Sequence, residues 1–184
     1  MKNAIMFHGS GETPNSFWYP GIKRYLEELG YEVWAPQLPK PDAPELKVQL
    51  PYVLENGRCD EETVLVGHSA GCPLILSVLQ NINIRVFRAV LVAGFSRKLR
   101  GYPNPILQDR YDWEKIKRNI RDVILINSDN DPWGADDKQG YHMFKNLGGT
   151  LIIRQGEGHM GSKLYNQPYE EFPLLEKLLS LEKV

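Results

Sequence analysis

Six short apolar runs, separated by longer amphipathic segments, constrain the fold of this 184-residue chain more than any other feature. Four of the runs are apolar at nearly every position, which is typical of strands buried on both faces of a parallel sheet. Alternation of such strands with helices predicts right-handed β–α–β crossovers and helices on both sides of the sheet. The predicted strands are 4–7, 31–35, 63–66, 89–93, 123–127 and 150–154.

Helices are predicted between these strands and at the end of the chain. Their ranges are 22–29, 73–79, 112–120 and 169–181. Gly30 is a favourable C-cap for the first helix, and Asp112 is a favourable N-cap for the third. Residues 36–51, which include five prolines, and the polar, turn-rich residues 95–111 are predicted to be loops.

Neither loop separates two lengths of chain that could each form a core, so we predict one domain over residues 1–184. The predicted fold class is α/β, with a doubly wound, mostly parallel, six-stranded sheet. Few residues lie between the fourth strand and the fifth, which leaves no room for a large cap domain.

Composition excludes several classes of function. The formal net charge is -1 at pH 7, and the local basic clusters are offset by acidic residues, which disfavours nucleic-acid and membrane-surface partners. The only cysteines, Cys59 and Cys72, indicate a reducing compartment rather than a disulfide framework. No apolar run has the length of a membrane span, and no signal peptide precedes the first strand, so we expect a cytoplasmic protein.

The motif that carries chemistry is Gly67-His68-Ser69-Ala70-Gly71, a G-x-S-x-G between a predicted strand and a predicted helix. A sharp strand-to-helix turn exposes the central serine and strains its backbone, and glycines two residues away prevent collisions. The helix that follows directs the positive end of its dipole at the serine. The alternative is an ordinary glycine-rich turn, but the context favours Ser69 as a nucleophile.

A serine nucleophile requires a general base, and in this type of fold the base follows it in the chain. Of the four histidines, His8 and His68 both precede Ser69 in the chain, so neither has the expected order. His142 lies within an apolar segment, where a packing or helix-surface role is usual. His159 directly follows the last predicted strand on a glycine-rich loop, so it is the predicted base; a solvated loop histidine is the alternative.

The acid that orients the base is expected after the fifth strand, where Asp129 and Asp131 both occur. We favour Asp131, which precedes Pro132, and Asp129 remains the alternative. A turn-forming aspartate before a proline is the structural explanation of either residue.

An oxyanion hole needs two backbone N–H groups. The amide of Ala70, which follows the nucleophile, is one candidate. The loop after the first strand should supply the other, and we choose Ser10, with Gly9 as the alternate. A phosphate-binding loop is disfavoured because Pro14 stands where the last glycine of G-x-G-x-x-G belongs.

With these motifs the chain resembles the retinoblastoma-binding-protein-9-like small serine hydrolases of the α/β-hydrolase superfamily. The resemblance rests on ordered segments between about residues 7 and 160, which are His8-Gly9, Ser16-Phe17-Trp18-Tyr19-Pro20, Gln37-Leu38-Pro39, Val66–Pro73 around the serine, Val92-Ala93-Gly94-Phe95, Ser128–Pro132 and Gly158-His159-Met160.

This resemblance implies a triad of Ser69, Asp131 and His159. Two positions depart from the family pattern, because Trp133-Gly134 follows the Asp-Pro pair and Met160 replaces the usual phenylalanine. The L-x-C-x-E segment linked to retinoblastoma binding is absent, so no such partner is expected.

The predicted function is hydrolysis of a small ester or amide, with carboxylester hydrolysis favoured, through a covalent acyl-enzyme and with no cofactor or metal. We expect a shallow aromatic pocket, with Trp18, Phe95 and Trp133 as candidate walls. One alternative is a non-catalytic binding protein on the same scaffold. A metal-dependent hydrolase is a weaker alternative, because no H-x-H or H-E-x-x-H spacing occurs.

Overall fold

The computed structural model describes residues 2–181, and in it the six strands form one sheet. The strands are Asn3–Phe7 (β1), Glu32–Trp34 (β2), Val64–His68 (β3), Val86–Val92 (β4), Ile120–Ser128 (β5) and Thr150–Arg154 (β6). The helices are Tyr19–Glu28 (α1), Leu46–Asn56 (α2), Gly71–Asn81 (α3), Trp113–Arg118 (α4), Asp137–Leu147 (α5) and Pro173–Ser180 (α6). The strand order is β2-β1-β3-β4-β5-β6 and all five pairings are parallel, which confirms the predicted α/β class.

Successive side chains of the central strands enter two different cores, as the pleat of a strand requires. In β3, Val64 and Val66 pack with α1 and α6 on one face, and Leu65 packs with α2 and α3 on the other. Both faces are therefore covered by helices. This explains why the central strands are apolar at consecutive positions and lack the alternation of a half-exposed strand.

Helix α2 is a correction to the sequence analysis, which predicted residues 36–51 to be a loop. The helix begins at Leu46, after four of the five prolines, and contains Pro51 in its interior. Pro51 removes one helical hydrogen bond. Burial of Val53, and a hydrogen bond of 2.9 Å from the Gln49 side chain to the Pro39 carbonyl, stabilise the segment against α3. Helix α5 was also not predicted as an element.

The strand order reverses direction between β1 and β3, which lie side by side with Phe7 opposite Gly67. In open parallel sheets, ligands bind beyond the carboxyl ends of the strands at such a switch point. Here the loop containing Ser10 follows β1, and Ser69 directly follows β3. The fold thus brings both segments to one crevice.

Within residues 2–181 there is no large cap domain over this edge; the longest connection is residues 93–112, between β4 and α4. Across the same residues, no helix combines the length and apolar character that crossing a membrane requires.

Candidate active site

Ser69 stands in a strained turn between β3 and α3. Its φ of 50° is in the left-handed region, which is rare for residues other than glycine. A Cβ atom on Gly67 would lie 2.7 Å from the Ile75 Cδ1 atom, and one on Gly71 would collide with the Phe7 carbonyl oxygen. Both flanking glycines are therefore required by close packing, which is the geometry of a nucleophile elbow.

His159 and Asp131, which lie 28 residues apart in the sequence, are in contact in the structure. The His159 Nδ1 atom is 2.6 Å from Asp131 Oδ2, and both side chains are almost completely buried. The other carboxylate oxygen, Oδ1, accepts a hydrogen bond of 2.8 Å from the Trp133 amide. Because a carboxylate only accepts hydrogen bonds, Nδ1 carries the proton and Nε2 is left as the basic nitrogen.

The pKa of His159 lies below its ordinary value of 6.5. Burial is the largest cause, and the charge of the neighbouring His68 acts in the same direction. The hydrogen bond to Asp131 opposes both by favouring the protonated ring. His159 is therefore neutral near pH 7, which is the state that a general base requires.

The loop that carries His159 is held by the loop that follows β5. The Asp129 carboxylate accepts from the Gly156 amide at 2.8 Å, and the Asn130 side chain accepts from the Gly158 amide at 2.8 Å. The Ser128 hydroxyl accepts a hydrogen bond of 3.1 Å from the amide of Glu157, which lies between these two glycines. Asp129, the alternative acid, thus contacts the backbone of the loop, whereas Asp131 contacts the imidazole. Sequence analysis missed the role of Ser128 and Asn130, because side-chain acceptors for a distant loop have no motif.

The Ser10 amide is oriented by the residues around it. The His8 Nδ1–H donates to the Gly9 carbonyl at 2.8 Å, while its Nε2 accepts from the Leu38 amide at 3.0 Å. A trans peptide directs the C=O of Gly9 and the N–H of Ser10 in opposite directions, so this bond fixes the direction of the Ser10 N–H. The Gly9 amide instead donates to Glu12 at 2.7 Å, so the alternate oxyanion donor is already engaged.

The pKa of His8 is lowered, chiefly by burial, so the ring stays neutral and keeps this pattern of donor and acceptor. For neither the Ser10 amide nor the Ala70 amide does the described part of the chain provide a hydrogen-bond acceptor. Both amides are available to a ligand. Within residues 2–181 the Ser69 hydroxyl likewise forms no hydrogen bond with His159, and such contacts are often long before a substrate binds.

Ser69, Ala70, Ser10 and His159 line one cavity of about 500 Å³, a volume in the range of small-molecule sites. Its remaining walls are mainly apolar and come from five loops. They include Phe17, Ala43, Pro44, Phe95, Leu99, Tyr102, Pro103, Pro105, Ile106, Trp133 and Leu164. Phe95 and Trp133, two of the three candidate wall residues, line this cavity.

Trp18, the third expected wall residue, does not lie at this cavity. It is 1% exposed, its ring packs against His68 and Phe172, and its indole N–H donates to the Met160 carbonyl at 2.9 Å. Trp18 directly precedes α1, which packs with α6 on the face of the sheet opposite to α2 and α3, and this places its ring beside α6. The indole therefore stabilises the loop that carries His159 through this hydrogen bond.

His142, the other histidine after Asp131, lies on α5 with its ring edge against Trp113 and away from the cavity. Across residues 2–181, no group of three or more His, Cys, Asp or Glu side chains is arranged to hold a metal ion.

The parallel sheet, the strained serine turn and the buried aspartate–histidine contact together define a protein of the α/β-hydrolase fold. The family model described as "Serine hydrolase" matches residues 4–180, and the chain belongs to this family.

The proteins that are similar to this chain include two curated proteins and one crystal structure. The chain is 28% identical over 134 residues to "Serine hydrolase RBBP9" of Rattus norvegicus, covering 68% of this chain and 69% of the relative. It is 29% identical over 135 residues to "Putative hydrolase YdeN" of Bacillus subtilis, covering 71% of each. The crystal structure of the ydeN gene product superposes with a TM-score of 0.87 at 24% identity, covering 98% of this chain and 97% of the other. That likeness shows the fold.

Proposed function

We propose that this protein hydrolyses a small ester or amide through Ser69, with His159 as general base and Asp131 as the residue that orients it. The observation that carries the proposal is the placement of Ser69 in a strained elbow on the same cavity as a neutral, Asp131-bound His159. Membership of the serine hydrolase family supports it.

In this mechanism the Ser69 hydroxyl attacks the substrate carbonyl and gives its proton to His159 Nε2. The carbonyl oxygen becomes negative between the amides of Ser10 and Ala70, which donate hydrogen bonds to it. The imidazolium then gives the proton to the leaving alcohol or amine, and an acyl group remains on Ser69. A water molecule, deprotonated by His159, releases the acid and restores the serine.

The walls of the cavity favour an uncharged, apolar acyl group. Aliphatic and aromatic side chains dominate the lining, and burial of such an acyl group would be favourable. We therefore expect carboxylesters with a short or medium-chain apolar acyl group to be better substrates than esters whose acyl group carries a charge.

A fluorophosphonate reports an activated serine without requiring the natural substrate. We expect it to label Ser69 alone, and we expect Ser69→Ala to abolish the label. Ser162→Ala is the matched control, because Ser162 lines the same cavity without an elbow, and this variant should keep the label on Ser69. Labelling of Cys72, or of no residue, would favour the non-catalytic binding protein instead.

A further inference from the structure

A second pair of ionisable side chains has no role in the mechanism above; it consists of Glu12, which lines the cavity, and His68, which is buried next to it. Glu12 is 7% exposed and His68 is fully buried. Three donors converge on one carboxylate oxygen, Glu12 Oε2. These are the Gly9 amide at 2.7 Å, the His68 Nδ1 atom at 3.2 Å and the Tyr19 hydroxyl.

The hydrogen-bond partners of His68 require a proton on both ring nitrogens. Nε2 lies 2.8 Å from the carbonyl oxygen of His159, which only accepts. Nδ1 lies 2.8 Å from the Tyr19 oxygen, and Tyr19 donates its single proton to Glu12. Nδ1 therefore also donates, and His68 is an imidazolium opposite a carboxylate.

The electrostatics agree with this arrangement. Burial is the largest influence on His68 and disfavours its charge, but the Glu12 carboxylate overcomes it and raises the pKa of His68. Burial alone would raise the pKa of Glu12, and the contacts with His68, Tyr19 and Gly9 lower it instead. Each charge is thus stabilised by the other, as buried charges require.

The pair connects three segments of the candidate site. Glu12 holds the Gly9 amide directly before Ser10, and a Cβ on Gly9 would lie 2.8 Å from both carboxylate oxygens, so the loop rests on this carboxylate. His68 immediately precedes Ser69 and holds the carbonyl of His159. We propose that the Glu12–His68 ion pair positions the Ser10 amide and His159 relative to Ser69; this rests on the proposed function.

The same pair also acts on the charge of the base. The rings of His68 and His159 are 4.9 Å apart between centroids, so the imidazolium of His68 disfavours a second positive charge on His159. The other titratable groups that face the pair are His8, Tyr19, Cys72 and Asp131. Burial lowers the pKa of His8 and raises the pKa values of Tyr19 and Cys72, so these three groups are neutral near pH 7.

The first test is Glu12→Gln, which removes the charge and keeps the shape of the side chain. We expect kcat to fall by about 10–100-fold with KM changed by less than about threefold, because small displacements of positioned groups cost that much. Without its carboxylate partner, buried His68 becomes neutral. The acid limb of the pH profile should then move to higher pH, because the lost effect of His68, which lowers the pKa of His159, is larger than the lost effect of the Glu12 charge, which raises that pKa.

Asp122→Asn is the matched control. Asp122 is 8% exposed and accepts a hydrogen bond of 2.7 Å from the fully buried Arg88, in a pair near the amino ends of β4 and β5, whereas the site lies beyond the carboxyl ends of the strands. Breaking this pair should lower Tm, as Glu12→Gln also should, but kcat, KM and the acid limb should remain those of the wild type. An equal fall in kcat for both variants would show that Glu12 contributes only to the stability of the fold, and it would overturn the proposal.

The second test is the ¹⁵N NMR spectrum of the histidine rings at pH 7.5. We expect His68 to be protonated on both nitrogens in the wild type and on one in Glu12→Gln. A neutral His68 in the wild type, or a Glu12→Gln variant with wild-type kcat and pH profile, would overturn the proposal. If Glu12→Gln does not fold, Tyr19→Phe takes its place, since it removes one donor to Glu12 and should lower kcat by a smaller factor.

The two proposals fail in different ways. A wild-type protein that does not react with fluorophosphonate overturns the proposed function, whatever the charge of His68. Labelling of Ser69 together with a neutral His68 overturns only the role of the ion pair.

Discussion

Replacement of Asp131 by asparagine tests the site most directly, because the geometry predicts which way the new amide will point. The Trp133 N–H, 2.8 Å from Oδ1, requires an acceptor at that position, so the amide oxygen should take it. The NH₂ group then occupies the position of Oδ2, 2.6 Å from His159 Nδ1. Two donors cannot share that contact, so the imidazole proton moves to Nε2 and the ring can no longer act as a base toward Ser69.

The size of the loss follows from two contributions. Turning the amide around to restore the active tautomer loses the Trp133 bond and places two donors together, which costs about 1–3 kcal/mol. In the transition state His159 is an imidazolium, and the charge-assisted bond to Asp131 that is lost there is worth about 1.5–3 kcal/mol. The total of about 2.5–6 kcal/mol corresponds to a fall in kcat/KM of about 10²–10⁴-fold, at 1.36 kcal/mol per factor of ten.

The assay is kcat/KM for an activated short-chain ester at pH 7.5, with Asp129→Asn as the control. Asp129 is exposed, and among residues 2–181 its carboxylate accepts a hydrogen bond only from the Gly156 amide, which an asparagine oxygen can also accept. We expect that variant to keep activity within about threefold of the wild type, as exposed substitutions usually do. Equal, small losses for the two variants would refute the assignment of Asp131 and the reasoning from Trp133.

Two further predictions concern the base and the elbow. Since only the neutral imidazole accepts the Ser69 proton and the pKa of His159 is lowered, kcat/KM should rise with pH through an inflection below 6.5. His159→Gln should lose this activity and His142→Gln should keep it; the reverse result would show that the base is misassigned. Gly71→Ala, whose Cβ meets the Phe7 carbonyl, should lower the free energy of unfolding by about 1–3 kcal/mol or more. Gly21→Ala, within α1 and with open space around it, should raise it by about 0.5–1 kcal/mol in the same denaturant titration.

The strands could be predicted because burial on both faces of the sheet requires apolar side chains at consecutive positions. Strand β6 has the predicted limits, and the other strands differ from prediction by one to three residues at their ends. Helix α2 could not be predicted, since its neighbouring prolines give the local appearance of a loop. Its stability comes from packing against α3, which no local pattern records.

The contact between Asp131 and His159 could be anticipated because each follows a strand, and β5 and β6 are neighbours in the sheet. Trp18 shows where this kind of inference ends. Trp18 is close to the site in the sequence, but its side chain lies on the other face of the sheet. Packing against Phe172 and α6 determines that direction.

Glu12 is the residue whose role depends most on the complete fold. It lies in a polar, glycine-containing loop, where an exposed acidic side chain is the usual outcome. Its burial is stabilised by His68, which comes from a different strand, and by Tyr19, which comes from the first helix. The middle residue of Gly67-His68-Ser69 therefore connects the turn to two other loops. A sequence motif describes the conformation of the serine, whereas the positions of its partners depend on side chains that have no motif of their own.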